Sequence, residues 1–102
     1  MPFYTYITTN PGRTTLYIGI TKELSERLKE HYENRGDPET FAGRYYCYKL
    51  IYYETYRTAQ KAIEREKELK KWRRDKKEIL INNVNPGWKF LNYNDDFRVG
   101  RL

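Results

Sequence analysis

The segments Tyr4-Thr5-Tyr6 and Tyr17-Ile18-Gly19 decide the predicted fold of this 102-residue chain. Apolar and more polar side chains alternate along both segments, and Pro11-Gly12 between them marks a turn, so together they predict a β-hairpin. The apolar rows fit a core, and the opposite, less apolar face carries Tyr6 and Tyr17 opposite or diagonal to each other. Because tyrosine is a good strand former, half-buried packing also explains this pair. The hairpin nevertheless marks a patch of two phenols as the first place to look for chemistry.

Composition indicates one globular domain. Hydrophobic residues make up 38% of the chain and charged residues 33%, a balance that argues against disorder. A single cysteine, Cys47, excludes an internal disulfide and suits a reducing interior, and no Cys/His cluster has zinc spacing. No apolar run is long enough for a membrane span, and the N-terminus lacks a signal-peptide pattern. We therefore expect a cytoplasmic protein that does not associate with membranes.

Positive charge is concentrated late in the chain. The formal net charge is +6, from 20 Lys and Arg against 14 Asp and Glu. A dense basic run over residues 67–77 predicts a surface that neutralises nucleic-acid phosphates. A solvated helix face explains the same run equally well. The cations concerned are Lys67, Lys70, Lys71, Arg73, Arg74, Lys76 and Lys77.

Cap and turn signals divide the rest of the chain. They predict a helix opened by Thr21 that runs to about residue 32, followed by a polar loop over 34–40. A strand is predicted over 47–53. Two helices follow, one capped by Thr58 that runs to about residue 72 and one over 74–82. The order strand-strand-helix-strand-helix-helix predicts an α/β (α+β) fold with a small, three-stranded, mainly antiparallel sheet flanked by helices. The third strand fits beside the first, on its other side. We predict one domain over residues 1–91 and a loosely ordered tail over 92–102.

Ionisable residues interrupt the apolar stripes of two predicted helices. Helical spacing from Leu24 and Leu28 places Arg27 and His31 on the inward side of the first helix. Glu66 falls at the centre of the apolar stripe of the second helix. A buried charge costs several kcal/mol unless it is paired or solvated in a cleft. Either a structural Arg27–Glu66 salt bridge or side chains whose charged ends reach solvent at the edge of the core would avoid this cost. Three such residues beside a tyrosine-lined strand nevertheless favour a functional site.

This set of residues resembles the GIY-YIG nucleases, in particular small stand-alone bacterial members related to the N-terminal domain of an excinuclease subunit. The first motif of the family is represented by Tyr4-Thr5-Tyr6, in which only Tyr6 bears the expected functional group. The second motif is matched by Tyr17-Ile18-Gly19. The likeness extends through both helices with ionisable stripes to about Trp88, which is most of the chain.

The resemblance implies a metal-dependent endonuclease that hydrolyses DNA phosphodiester bonds, with a role in DNA repair or recombination. By resemblance, Glu66 binds a single Mg²⁺ or Mn²⁺ and Arg27 neutralises the phosphate. Tyr6 is the candidate general base and Tyr17 a hydrogen-bond partner of phosphate or water, or the two roles are exchanged. For Tyr6 to act as a base, its pKa must fall, and Arg27 and the metal have the right sign. His31 positions water or phosphate, or simply packs.

Several features stay open at this level. A late asparagine near the active site is expected from the resemblance, and Asn82, Asn83 and Asn85 compete for that place. The basic run over residues 67–77 would grip the DNA backbone without reading sequence, which leaves structure as the basis of selection. The alternatives are a non-catalytic nucleic-acid-binding module of the same fold and an interaction domain whose tyrosines bind peptides. Sequence does not separate DNA from RNA, and it leaves the oligomeric state unknown.

Overall fold

A computed structural model describes residues 2–93 and 98–101. The strands of the main sheet are β1 (Phe3–Thr9), β2 (Leu16–Thr21) and β3 (Lys49–Tyr56). The helices are α1 (Leu24–Glu33), the single turn α2 (Phe41–Arg44), α3 (Ala59–Lys71) and α4 (Arg74–Val84). Two short strands, β4 (Asn92–Tyr93) and β5 (Arg98–Val99), follow. Within the described ranges, no helix is both long and apolar enough to cross a bilayer.

The main sheet has the strand order β2-β1-β3, with both neighbours antiparallel to the central β1. The chain therefore leaves β2 at one edge, passes through α1 and α2, and enters β3 at the other edge. This topology and the mixed fold class confirm the sequence prediction.

Strand register brings the two tyrosines together. Tyr6 pairs with Gly19, and Tyr17 pairs with Thr8 two residues further along β1. The tyrosines are thus diagonal neighbours on one face, and their ring centroids lie 6.3 Å apart. The predicted placement of both phenols on one face of the hairpin is confirmed.

The tyrosine face of the sheet is a second core rather than an open face. On one side of the sheet a cluster built on Ile7 packs under α3 and α4, with Leu69 and Ile81 fully buried. On the other side Tyr6 is fully buried with Leu28 of α1. Because β1 is the central strand and helices cover both sides, its two faces are equally shielded from water.

Three predicted boundaries need correction. Thr21 is not the N-cap of α1, because it still pairs with Tyr4 as the last residue of β2. Its Oγ1 accepts a hydrogen bond from the backbone N–H of Glu23, which occupies the cap position. Strand β3 begins and ends later than predicted. It continues past residue 53 because the polar Glu54 is accommodated by an ion pair with Arg65 at 2.9 Å. Helix α4 continues two residues past the predicted end at residue 82.

The cap of α3 agrees with the prediction. Thr58 Oγ1 accepts a hydrogen bond from the backbone N–H of Lys61 at 3.2 Å, and the helix ends at Lys71. This cap sets the start of the helix, in which Ala62 and Leu69 are buried.

The segment between α1 and β3 is more ordered than a polar loop. Thr40 caps α2 by accepting a hydrogen bond from the backbone N–H of Gly43 at 3.0 Å, and the Gly36 N–H donates to the Gly43 carbonyl at 2.8 Å. A Cβ at position 43 would lie 2.7 Å from the carbonyl oxygens of Asn34 and Asp37, so only glycine fits there. The segment therefore holds a defined shape beside the end of α1.

The described part of the predicted loose tail is attached to β3. Asn92 Oδ1 accepts from the backbone N–H of Leu50 at 2.8 Å, and Asn92 Nδ2 donates to the carbonyl of Tyr48 at 3.0 Å. The Tyr53 hydroxyl donates to the carbonyl of Gly100 at 3.0 Å. The remaining tail residues, 94–97 and 102, lie outside the described residues, and the domain boundary at residue 91 stays a prediction.

Candidate active site

A buried hydrogen-bonded group links Tyr6 to α1. The Tyr6 Oη lies 2.8 Å from His31 Nε2, and Arg27 Nε donates to the same phenol oxygen at 3.3 Å. Arg27 and His31 stand four positions apart on α1, so they project from one side of the helix towards the phenol. The strand and the helix together hold this hydroxyl from two directions.

Tyr17 completes the aromatic wall of the site. Its ring centroid lies 5.3 Å from that of His31, edge to face, as well as 6.3 Å from that of Tyr6. Unlike the fully buried Tyr6, Tyr17 is partly exposed. The outer phenol is therefore accessible to a ligand, whereas the inner one is shielded from solvent.

Gly19 makes room for this arrangement and was not recognised from the sequence as a site residue. A Cβ at position 19 would lie 2.6 Å from Tyr6 Oη and 3.0 Å from Tyr17 Cε2. Tyr6 can lie across β2 only because this position has no side chain. The signal was available, since a glycine inside a strand often marks close approach by another group.

His31 is neutral at physiological pH. Burial, and then the charge of Arg27, lower the pKa of His31 to about 4. Arg27 donates to the phenol oxygen, and in the tautomer of neutral His31 that carries its proton on Nδ1, Nε2 accepts the hydroxyl hydrogen of Tyr6. The donor–acceptor chain therefore runs from Arg27 through Tyr6 to His31.

The pKa of Tyr6 is raised, opposite to the lowering that a phenolate base requires. Burial is the largest cause, and the neighbouring Tyr17 adds to it. The hydrogen bond and charge of Arg27 act in the other direction but do not outweigh burial. Tyr6 is thus held as a neutral phenol: Arg27 has the expected sign, but burial outweighs it.

Glu66 lies on α3, with its side chain 19% exposed. It pairs with Lys70 at 3.3 Å, while Arg27 pairs with Glu30 at 3.1 Å. The structural Arg27–Glu66 salt bridge considered from the sequence therefore does not form, because each residue pairs with a neighbour on its own helix. The negative charge of Glu66 contributes to the raised pKa of Tyr6, which places the carboxylate within electrostatic reach of the phenol.

The donor set around Glu66 fits one kind of metal ion. Among residues 2–93 and 98–101, no group of three or more His, Cys, Asp or Glu side chains could enclose an ion. Zn²⁺ in proteins requires three or four such ligands, whereas Mg²⁺ is held by one or two carboxylates together with waters and substrate phosphates. A lone, partly exposed carboxylate whose lysine partner is half exposed is compatible with the second pattern.

Two adjoining pockets open at this site. The smaller, about 150 Å³, is lined by Tyr17, Arg27, His31, Asn34, Thr40, Phe41 and Ala42. The larger, about 260 Å³, is lined by Leu16, Tyr17, Ile18, Phe41, Lys70 and Lys77. Tyr17 and Phe41 belong to both. The first pocket offers a guanidinium and an imidazole to an anion, and the second combines an apolar floor with two ammonium groups.

With this geometry in place, comparison with known proteins identifies the family. A family model described as the GIY-YIG catalytic domain matches residues 2–79, a range that includes both tyrosine segments and Glu66. The chain belongs to the GIY-YIG family. The resemblance stated from the sequence is thereby confirmed, and the family is one of nucleases.

The relatives of this GIY-YIG domain are small proteins. It is 34% identical over 70 residues to a UPF0213 protein of Bacillus pumilus (strain SAFR-032), covering 69% of each chain. It is 36% identical over 67 residues to a UPF0213 protein of Staphylococcus aureus (strain Mu3), covering 66% of this chain and 79% of the other. It is also similar to the solution NMR structure of a UPF0213 protein from Bacillus halodurans, with a TM-score of 0.51, 27% identity and coverage of 83% and 87% of the two chains. These names state no activity.

The cations of the basic run of this GIY-YIG domain have different environments. Lys70 and Lys77 line the larger pocket, whereas Arg74 pairs with Glu78 at 2.9 Å and also donates to a carbonyl of the hairpin loop. Arg73 pairs with Asp75. The other members, Lys67, Lys71 and Lys76, are exposed. Two lysines of the run are therefore next to the candidate site, and the rest lie outside this pocket.

The three candidate asparagines have different environments. Asn85 is buried, donates to the carbonyl of Ile51 at 2.8 Å, and accepts from the backbone N–H of Lys89 at 3.0 Å. Asn82 accepts from a tryptophan indole at 2.6 Å, and Asn83 is exposed. The side chain of Asn85 is therefore occupied in holding the loop after α4 to β3.

A different asparagine, Asn34, lines the smaller pocket at the end of α1. It was missed because it stood in a stretch interpreted as loop. Its position three residues after His31, on the same side of the helix, was the available signal.

Proposed function

We propose that this GIY-YIG domain is an endonuclease that depends on a divalent metal ion and hydrolyses DNA phosphodiester bonds, in DNA repair or recombination. The observation that carries the proposal is the Tyr6 hydroxyl held between Arg27 Nε and His31 Nε2. Such a hydroxyl, next to a pocket with a guanidinium and within electrostatic reach of a carboxylate, is suited to moving a proton beside a phosphate.

The proton transfer uses both Tyr6 and His31. When substrate binding opens a path to the buried phenol oxygen, the attacking water would give its proton to Tyr6 as the hydroxyl proton of Tyr6 passes to His31 Nε2. The phenol is neutral before and after the transfer, so its raised pKa is no obstacle. The proton ends on the imidazole, and the hydroxide that remains attacks the phosphorus as the bond from phosphorus to the leaving oxygen breaks. His31 is then the final acceptor, a more specific role than positioning or packing. Because the charge of Arg27 is one cause of the lowered pKa of His31, a phosphate bound at that guanidinium would make the imidazole a stronger base.

Arg27 and Tyr17 bind the phosphate in this proposal. The guanidinium of Arg27 lines the smaller pocket and remains charged at all relevant pH values, so it can balance the charge that develops on the phosphate oxygens. Tyr17 lines both pockets and donates its hydroxyl to a phosphate oxygen or to the attacking water. Its accessible position favours substrate contact over the relay role.

Glu66 would hold the metal ion, Mg²⁺ or Mn²⁺. When bound, such an ion supplies positive charge for the phosphate and for the leaving oxygen. Before binding, Lys70 balances the carboxylate, and because Lys70 is half exposed it can turn towards a nucleic-acid phosphate instead.

The wider surface supports a nucleic-acid substrate. Lys70 and Lys77 extend positive charge from the site along the larger pocket, and the remaining cations of the 67–77 run would contact the backbone without reading base sequence. Selection would then depend on DNA structure. A cytoplasmic location, where the free thiol of Cys47 stays reduced, is part of this proposal.

The test is Glu66→Gln, with Glu64→Gln as the matched control. Glu64 is exposed on the opposite face of α3. Cleavage of branched, single-stranded and duplex DNA is measured with Mg²⁺ and with Mn²⁺, and DNA binding is measured in parallel. We expect Glu66→Gln to abolish cleavage and largely retain binding, and Glu64→Gln to cleave like the wild type.

Two results would reject the nuclease proposal. One is full cleavage by Glu66→Gln. The other is a wild-type protein that binds these DNAs without any metal-dependent nicking, which would identify a non-catalytic nucleic-acid-binding module.

A further inference from the structure

The segment from α2 to β3 exposes three large aromatic side chains. Phe41 is 52% exposed, Tyr46 50% and Tyr45 43%. Phe41 and Tyr45 contact each other, whereas Tyr46 lies against Gly36. A folded domain seldom leaves a contiguous aromatic patch in water without a binding role. The segment is held in shape by the Thr40 cap, so these rings are presented by a defined backbone.

Phe41 connects this aromatic surface to the candidate active site. Its ring stacks with that of Tyr17 at a centroid distance of 6.3 Å and an interplanar angle of 26°. It also contacts Tyr45, with ring centroids 4.8 Å apart. An aromatic row therefore leads from the proposed phosphate-binding residues out to solvent.

The larger pocket beside Phe41 has the size and chemistry of a nucleobase site. Its volume of about 260 Å³ lies just below the range of about 300–1,000 Å³ for drug-sized ligands, which suits a group of one or two rings. Tyr17, Phe41 and Ile18 supply aromatic and apolar walls. Lys70 and Lys77 supply positive charge to the same pocket, which suits the phosphates of a nucleotide.

We propose that Phe41 and Tyr17 form a subsite for one unpaired nucleobase that flanks the phosphodiester bound beside Arg27. This inference rests on the proposed nuclease function and deepens it by naming the substrate class. A base inside a duplex has both faces covered by neighbouring bases, so only a base in a single strand, a flap or a junction can stack on Phe41 without prior unstacking. Because every base has a flat π face, the subsite selects DNA structure rather than sequence.

The test measures stacking directly. Single-stranded oligonucleotides with the fluorescent base 2-aminopurine at successive positions, and the same strands annealed to their complement, are titrated with Glu66→Gln protein, which keeps the DNA intact. We expect fluorescence quenching in the single strand. Phe41→Ala in the same background should weaken single-strand binding at least about 5-fold and leave duplex binding unchanged within about twofold.

Two further variants separate stacking from a general effect on the fold. Phe41→Trp keeps an aromatic face and should restore single-strand binding. Tyr46→Ala removes an equally exposed ring that packs over Gly36, and should bind single strands and duplex like the parent protein. Equal losses on both DNAs, no loss from Phe41→Ala, or failure of Phe41→Trp to restore binding would each overturn the subsite.

Cleavage assays of the protein with Glu66 intact distinguish the nucleobase subsite from the proposed nuclease activity on which it rests. Metal-dependent cleavage whose preference for unpaired over duplex DNA is unchanged by Phe41→Ala would reject the subsite and leave the nuclease standing. Quenching that depends on Phe41, in a protein that never cleaves, would reject the nuclease and leave a subsite for an unpaired base.

Discussion

Replacing Gly19 with alanine should damage the site more than the fold. The new Cβ would lie 2.6 Å from Tyr6 Oη, so the phenol oxygen must move about 0.8 Å to reach an ordinary contact of 3.4 Å. Tyr6 is fully buried and its hydroxyl sits 2.8 Å from His31, so no free space absorbs this shift. Misplacement of a reacting group by about 1 Å can cost about 100-fold in rate. We expect a loss of that size in single-turnover cleavage.

The cost in stability should be modest. Overpacking costs about 1–3 kcal/mol, and alanine recovers about 0.5–1 kcal/mol relative to glycine inside a strand. A net loss of about 1–2 kcal/mol in the free energy of unfolding is therefore expected from urea denaturation. Because the chain has one histidine, the NMR signals of its ring report the Tyr6 contact without interference.

Gly12→Ala is the matched control. A Cβ at position 12 meets its nearest neighbour at 3.6 Å, an ordinary contact, so cleavage, stability and the His31 signals should stay as in the wild type. If Gly19→Ala cleaved at the wild-type rate with unchanged His31 signals, the close packing of Tyr6 on Gly19 would have no part in arranging the site, and this reasoning would be refuted.

Three further predictions concern acid stability, the loop after α4 and the basic run. Because the pKa of His31 falls from 6.5 in the unfolded chain to about 4 in the folded one, the unfolded state binds more protons between these pH values. The free energy of unfolding should therefore decrease by up to about 3 kcal/mol as the pH drops from 7 to 4. His31→Asn should flatten this slope in urea melts, and an unchanged slope would contradict the assignment. Asn85→Ala removes buried hydrogen bonds to two backbone segments and should lower the free energy of unfolding by about 2–3 kcal/mol. The folded variant should cleave normally. A cleavage defect in fully folded protein would instead indicate a direct role of Asn85 in the site. Lys77→Ala should reduce the slope of the logarithm of the DNA-binding constant against the logarithm of the salt concentration by about 1. Arg73 is already paired with Asp75 and lies away from the larger pocket, so Arg73→Ala should change this slope less. Equal effects would argue against a localised contact with the DNA backbone.

The strand pattern made much of the fold predictable. Alternation along the first two strands placed Tyr6 and Tyr17 on one face, and the Thr58 cap set the start of α3, because both signals are local properties of the backbone. The start of α1 was mispredicted for a tertiary reason. Thr21 looks like a cap, but its pairing with Tyr4 keeps it in the sheet.

The protonation states of the site were not predictable in the same way. Arg27 and His31 could be placed on one helix face from spacing, but spacing carries no information on burial. Once Tyr6 lies beneath α1, desolvation raises its pKa and lowers that of His31, which changes a predicted phenolate base into a neutral relay in the proposed mechanism. The role of Gly19 likewise depends on a side chain from another strand that lies over it.

The amino-acid sequence by itself determined the family, the order of the elements and the faces on which the ionisable residues lie. Periodicity and motif spacing are written along the chain, so they need no coordinates. Tertiary structure decided which partners those residues take, how far each is removed from water, and that an aromatic segment after α1 lies against Tyr17. These properties depend on distances between residues far apart in the chain, and Coulomb interactions, desolvation and stacking all vary with those distances.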